Sequence, residues 1–309
     1  MSREVICAAI AEYESASLFE TQVKRNVSVV REFFEQFDAF TLKFIQKFLF
    51  EKKKHGNSNK TLANTKSSLS AFAVFLRRYG YIDANPCRDV ELPKIEEMPP
   101  IILTRTEAAL AIGMAKKLGC VGQVIIALYT GLRASEICRL KWVDIDVPGR
   151  GLLVRKAKGK RFRVVPMCRR VMSLLERQRR LTGQYKHIFP RTKRERGLGT
   201  IRFIADAPRP IRYMMEVIAP IRDAIPTLRN LPPKQVGRGW HAFRHTFASW
   251  AVAENVSIYK LARWLGHQDV RTTQRYARLL QQYDPEIERV GRIKLESPRI
   301  GVGKYDEDE

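Results

Sequence analysis

His241-Ala-Phe-Arg244-His245, Leu265-Gly266-His267 and Thr273-Gln274-Arg275-Tyr276-Ala277-Arg278 follow one another within thirty-eight residues near the C-terminus. The chain has five histidines, at 55, 187, 241, 245 and 267, so three of them fall in this stretch. The region reads as helical, with a helix starting after Gly239, and a three-residue spacing then brings His241 and Arg244 out on one face. A cation beside a titratable ring suits an oxyanion, although a His-x-x-Arg pair alone is usually no more than a solvated helix face. The partners that decide between these readings lie upstream.

In Thr130-Gly131-Leu132-Arg133-Ala134-Ser135-Glu136-Ile137, an arginine follows a glycine turn between apolar helices. A guanidinium there is costly unless paired. Either Arg133 makes a structural pair with Glu136 or Asp144, or its planar fork faces a phosphate site. Between Leu152 and Met167, short apolar stretches flank Lys158-Gly159-Lys160, which reads as a basic β-hairpin or small antiparallel sheet.

The 309 residues carry 56 Lys+Arg against 32 Asp+Glu, a net charge of +24, which calls for an anionic partner, nucleic acid first. No apolar run reaches the roughly 18 residues that span a bilayer, and the N-terminus lacks a signal-peptide core, so a membrane surface is disfavoured and an intracellular protein is expected. The five cysteines, at 7, 87, 120, 138 and 168, are scattered with no Cys-x-x-Cys pair, which predicts reduced, mostly buried thiols rather than zinc or redox chemistry.

Two domains are expected, 1–94 and 95–309. In the first, Phe33, Phe34, Phe37, Phe40, Phe44, Phe48 and Phe50 recur mainly at helical spacing, predicting a small bundle. The polar run from Lys52 to Asn59 breaks the pattern, which resumes through Leu62, Leu69, Phe72, Phe75 and Leu76. The proline-rich segment from Asn85 to Lys94, followed by Pro99-Pro100, reads as the interdomain linker. Residues 1–95 carry a net +4 and residues 96–309 a net +20, so the second domain holds most of the charge. Thr104, followed three residues on by Glu107, predicts a capped helix running to Lys117; helices over 121–129 and 134–140 should hinge at Thr130-Gly131. Residues 191–238, cut by Pro208, Pro210, Pro220, Pro226, Pro232 and Pro233, show no clear period.

Thr130-Gly-Leu-Arg133-Ala-Ser-Glu136, Lys158, His241-x-x-Arg244, Leu265-Gly-His267 and Tyr276 together resemble the ordered signature of the tyrosine recombinases, the phage integrase family. The resemblance runs from about residue 100 onward. It implies a mainly α fold: an N-terminal helical core-binding, SAM-like bundle joined to an α-rich catalytic domain with a small antiparallel β-sheet. It also implies roles. Arg133 and Arg244 would clamp the scissile phosphate, with His267 as a further donor. Lys158 would be the general acid for the leaving 5′-oxygen, with Lys156 and Lys160 as close competitors. His241 would assist proton transfer at the nucleophile. Tyr276 would form a 3′-phosphotyrosyl link, with Tyr283 as the fallback nucleophile, and no cofactor or metal would be needed.

The partner implied is double-stranded DNA, acted on by a homo-tetramer on synapsed sites in the cytoplasm, at the nucleoid. The catalytic signature leaves integration, excision and resolution open. A type IB topoisomerase-like enzyme and a catalytically silent DNA-binding protein are the rivals. The separate N-terminal bundle and His241 favour a recombinase over the first, and the intact set of six site residues argues against the second. Glu136 and Asp144 read as partners that orient Arg133, His245 as the holder of a structural hydrogen bond, and Trp240, Trp250 and Trp264 as packing anchors.

Overall fold

The computed structural model describes residues 3–15, 20–95, 99–155, 162–194, 201–230 and 238–280. The chain divides into two compact units, Met1–Met98 and Pro99–Glu309.

The first unit holds four helices, α1 (Arg3–Ser15), α2 (Glu20–Gln36), α3 (Leu42–Lys54) and α4 (Asn59–Arg78). Thr41 and Ser58 start α3 and α4 by accepting the backbone N–H of Phe44 and Thr61, which satisfies donors the first turn leaves open. Phe33 sits at the centre of the core, fully buried, with edge-to-face contacts to Phe34, Phe40 and Phe48 at 5.1–5.5 Å. Each such ring contributes about 1.5–3 kcal/mol by leaving water. Phe50 departs from the sequence pattern: it is 67% exposed, because its place on α3 turns away from Ile45, Phe48 and Leu49. The Asn-Pro segment read as a linker packs into this unit instead. Cys87 and Val90 are buried in its core, the Asn85 side chain accepts from Cys87 N and donates to Ser70, and Lys66 donates to the carbonyl of Val90.

The second unit is built around α6 (Val121–Thr130), buried at nearly every position and packed against α5 (Arg105–Lys117). The capping box expected at Thr104 forms, with Glu107 N donating to Thr104 Oγ1 at 3.2 Å and Thr104 N to Glu107 Oε2 at 3.0 Å. Gly131 ends α6 in the left-handed region at φ 64°, and α7 (Ala134–Cys138) follows. A Cβ at Gly131 would lie 2.5 Å from the Phe247 ring and 2.8 Å from Leu265, so the turn needs glycine for its conformation and for space.

A three-stranded antiparallel sheet follows, β1 (Ile145–Asp146), β2 (Gly151–Arg155) and β3 (Phe162–Pro166), in the order β1-β2-β3. β3 alternates, with Phe162, Val164 and Pro166 exposed and Arg163 and Val165 buried. Beyond α8 (Arg169–Thr182), the region that is opaque in sequence holds a second antiparallel pair, β4 (Pro190–Arg194) and β5 (Ile201–Pro208), then α9 (Ile211–Ala224) and the short α10 (Pro226–Arg229). Backbone amides of Lys186 and His187 bind the Asp206 carboxylate and tie that hairpin back. Pro220 lies inside α9 without ending it, and Met214, Ile218 and Ile221 bury the helix.

The last three helices are α11 (Arg238–Ala253), α12 (Ile258–Leu265) and α13 (Arg271–Leu280). α11 packs on α6 and on α13. It already includes Gly239, so it begins before the point expected from sequence. Trp240 is buried and donates its indole N–H to the carbonyl of Met214, and Phe243 faces the core. Cys87, Cys120 and Cys138 are buried, Cys7 and Cys168 exposed, and all five are free.

Candidate active site

α11 carries consecutive residues to two different neighbours. Arg244, 3% exposed, reaches the loop after α6 and the end of α12. One Nη1–H donates to the carbonyl of Gly131 at 2.7 Å, while Nη2 donates to the carbonyl of Leu265 at 2.7 Å and meets His267 Nε2 at 3.0 Å. These bonds commit three of the five guanidinium N–H groups, leaving two outside them. Burial, with Arg133 nearby, lowers the Arg244 pKa to about 9, so it stays charged at neutral pH.

The tautomer of His267 follows from its partners. Arginine only donates, so Nε2 must accept, and the ring proton sits on Nδ1, 2.8 Å from the Thr273 hydroxyl. Burial and the charges of Arg244 and Arg133 push the pKa of this ring down to about 4, which agrees with a neutral imidazole. In this arrangement Nε2 of His267, expected from sequence as a further phosphate donor, accepts from Arg244.

Arg133, at the N-cap of α7, is part-exposed, and its backbone N–H donates to Glu136 Oε2 at 2.8 Å. Its Nη1 meets Glu136 Oε1 at 3.2 Å. Glu136 is engaged more strongly elsewhere: buried Arg163 forks onto both of its oxygens at 2.9 and 2.8 Å. Burial works to raise the Glu136 carboxyl, but the Arg163 hydrogen bonds and charge, aided by Arg133, hold it at about 2. Arg163 also donates from Nε to the carbonyl of Trp264, and Gly266, at φ 68°, leaves the room for it; a Cβ there would come 2.9 Å from the arginine stem. Of the two pairings considered for Arg133, the one with Glu136 forms, while Asp144 pairs with Arg155 instead. Arg133 and Arg163 thus share one carboxylate, and Arg244 stands within its electrostatic reach. The surplus positive charge stands beside a part-exposed guanidinium, an arrangement suited to an oxyanion.

Arg163 is the residue that sequence reasoning missed. The signal was present: in the alternating Phe162-Arg163-Val164-Val165, the arginine takes an inward position, where a charge must be paired.

Tyr276 stands on α13 with its side chain 2% exposed, packed with Ala248, Ala251, Leu261 and Leu265. Its hydroxyl lies 2.7 Å from His245 Nδ1. Burial raises the phenol pKa above its ordinary 10, against the opposing charges of Arg244, Arg275 and Arg133. His241 is exposed one turn earlier on α11, with its ring centroid 6.3 Å from that of His245. The structure thus brings Arg133, Arg244, His267 and Tyr276 together, with His245 on the phenol. Lys158, with Lys156 and Lys160, and the fallback Tyr283 lie outside the described residues.

Residues 107–199 and 235–282 match the phage integrase family. The tyrosine recombinase XerC of Xanthomonas axonopodis pv. citri (strain 306) is 28% identical over 250 residues, covering 79% of this chain and 74% of that protein. The Tn1549 transposon integrase in complex with a circular intermediate DNA shares the fold, with a TM-score of 0.69 at 20% identity over 92% of this chain and 99% of that one. So does a lambda integrase tetramer bound to a Holliday junction, with a TM-score of 0.64 at 16% identity over 88% of this chain and 76% of that one. With its ordered motifs gathered on one surplus of positive charge, the chain is similar to the tyrosine recombinases of the phage integrase family.

Proposed function

We propose that this protein is a site-specific recombinase that breaks and rejoins double-stranded DNA through a 3′-phosphotyrosyl link at Tyr276. The observation that carries the reading is the surplus of positive charge beside that tyrosine: Arg133 and Arg163 pair with the single carboxylate of Glu136, and buried Arg244 lies in the same field. A phosphodiester oxygen supplies the missing negative charge, and the charge that builds in the transition state is held most tightly.

On this reading Arg133 and the uncommitted N–H groups of Arg244 grip the non-bridging oxygens. His267, protonated as the phosphate arrives, adds a donor, and His241 assists proton transfer on the nucleophile's side. Lys158 is assigned the leaving 5′-oxygen. Residues 1–94 form the core-binding domain and 95–309 the catalytic domain with its C-terminal tail. The working assembly is a homo-tetramer on two synapsed sites, by analogy with the lambda integrase tetramer on a Holliday junction. The place of action is the cytoplasm, at the nucleoid. Among the described residues no helix is long and apolar enough to cross a membrane. With a net charge of +24, affinity for DNA should fall steeply with salt.

The test uses a nicked duplex selected from a random-sequence library for covalent capture by the wild-type protein. A protease-sensitive protein–DNA adduct is expected, and Tyr276→Phe should abolish it; failure of every sequence to yield an adduct would leave a DNA-binding protein without strand chemistry. Lys158→Ala should slow cleavage and recover on DNA carrying a 5′-bridging sulfur, which leaves without a proton. Lack of recovery would move the general acid to Lys156 or Lys160.

A further inference from the structure

His245 touches the atom that reacts. Its Nδ1 lies 2.7 Å from the Tyr276 hydroxyl, within the range of a direct proton transfer. Buried against Ala248, Ala251, Leu261 and Leu265, the phenol keeps its proton at neutral pH and attacks well only if that proton has somewhere to go.

Deepening the recombinase reading on which it rests, we propose that His245 is a catalytic residue, the group that takes the phenolic proton as Tyr276 attacks. The step requires a neutral ring with its proton on Nε2, so that Tyr276 donates to Nδ1. As the Tyr276 Oη–P bond forms, the hydroxyl proton moves to Nδ1 and His245 becomes imidazolium. The P–O5′ bond breaks, its electron pair leaves with the 5′-oxygen, and that oxygen takes a proton from the acid on the other side. Rejoining runs the same steps backward, and His245 returns the proton to the phenol.

Three features of the surroundings support this. The rings of His241 and His245 are one turn apart on the same side of α11, so the transferred proton has an exposed titratable neighbour at 6.3 Å between centroids. Arg244, next in sequence, is turned to Gly131, Leu265 and His267, so the phosphate grip and the proton acceptor do not compete for one position. The charges of Arg244, Arg275 and Arg133 oppose the burial that raises the phenol pKa, which eases loss of the proton during attack.

The experiment measures single-turnover adduct formation on the library-selected nicked duplex for wild type, His245→Asn, His245→Ala and His241→Ala. Asparagine keeps an acceptor near the Nδ1 position but is not a base. We expect His245→Asn to slow the adduct by about 100-fold, the low end for a lost general base, with DNA affinity and melting temperature close to wild type. Added imidazole should restore part of the activity of His245→Ala. The defect should persist on DNA with a 5′-bridging sulfur, because it lies on the nucleophile's side.

A His245→Asn protein that forms adduct at nearly the wild-type rate overturns the proposal. So does a defect that vanishes on the bridging-sulfur substrate, which would place His245 with the leaving group. Loss of DNA binding or folding in both variants, with no imidazole rescue, makes the contact structural and overturns it too. If wild type forms no adduct at all, the recombinase reading fails first and the role of His245 with it.

Discussion

Arg244 and His245 are neighbours in sequence, yet they serve opposite ends of the site. Arg244 is locked: two backbone carbonyls and His267 hold its guanidinium at 3% exposure, and behind it Arg163 and Glu136 tie β3, α7 and the end of α12 together. His245 faces the other way, onto α13, where one hydrogen bond and a small apolar cluster hold Tyr276. The proposed anion grip is thus built into a charged, heavily cross-linked core, whereas the proposed nucleophile sits on α13 in an apolar cluster with one side-chain hydrogen bond. Substitutions in the grip should damage folding and activity together; those at the nucleophile should damage activity alone.

The largest effect is expected at Arg244. Lysine cannot span Gly131, Leu265 and His267 at once, so Arg244→Lys should reduce adduct formation by about 10²- to 10³-fold and also lower the melting temperature. A variant with intact stability would break the contrast between the two ends. Glu136→Gln comes next, because it leaves Arg163 buried and under-paired; a loss of about 3–5 kcal/mol in denaturant unfolding is expected. The wild-type carboxyl, at about 2 against an ordinary 4.5, contributes stability that is present above pH 4.5 and lost as pH falls through 2. The variant should lack that part of the acid dependence.

Gly131→Ala forces a side chain onto φ 64° and into the Phe247 ring, for a loss of about 1–3 kcal/mol. The smallest effect concerns His267. Its folded pKa of about 4 lies below the ordinary 6.5, so the neutral ring's contribution is full above pH 6.5 and fades as pH falls toward 4. The melting-temperature difference between wild type and His267→Asn should shrink across that window, and a constant difference would contradict the tautomer deduced from Arg244.

What was legible in the sequence was local. The phenylalanine spacing, the Thr104–Glu107 capping box and the glycine hinge at 131 each depend on residues a few positions apart, and all three form. The second hairpin was not legible, because its prolines mark breaks while its pairing, Pro190 with Pro208 at the base, joins residues far apart in sequence. The prolines of the Asn-Pro segment end helices and so read as a linker, whereas burial of Cys87 and Val90 is tertiary and leaves no periodic trace. In the sequence His245 reads as structural, because it sits one residue from Arg244 and so on another part of the helix surface. That geometry was right, and that other surface is the one that bears Tyr276.

Tyr276 is proposed as the attacking group on a phosphate held by Arg133 and Arg244. The most direct measurement is to trap the covalent complex on the selected nicked duplex, digest protein and DNA, and locate the nucleotide-bearing peptide by mass spectrometry. A single modified peptide is expected, with the nucleotide on Tyr276 joined through a 3′-phosphate. A modification on Tyr283 or another side chain, or a 5′-phosphate linkage, would contradict it.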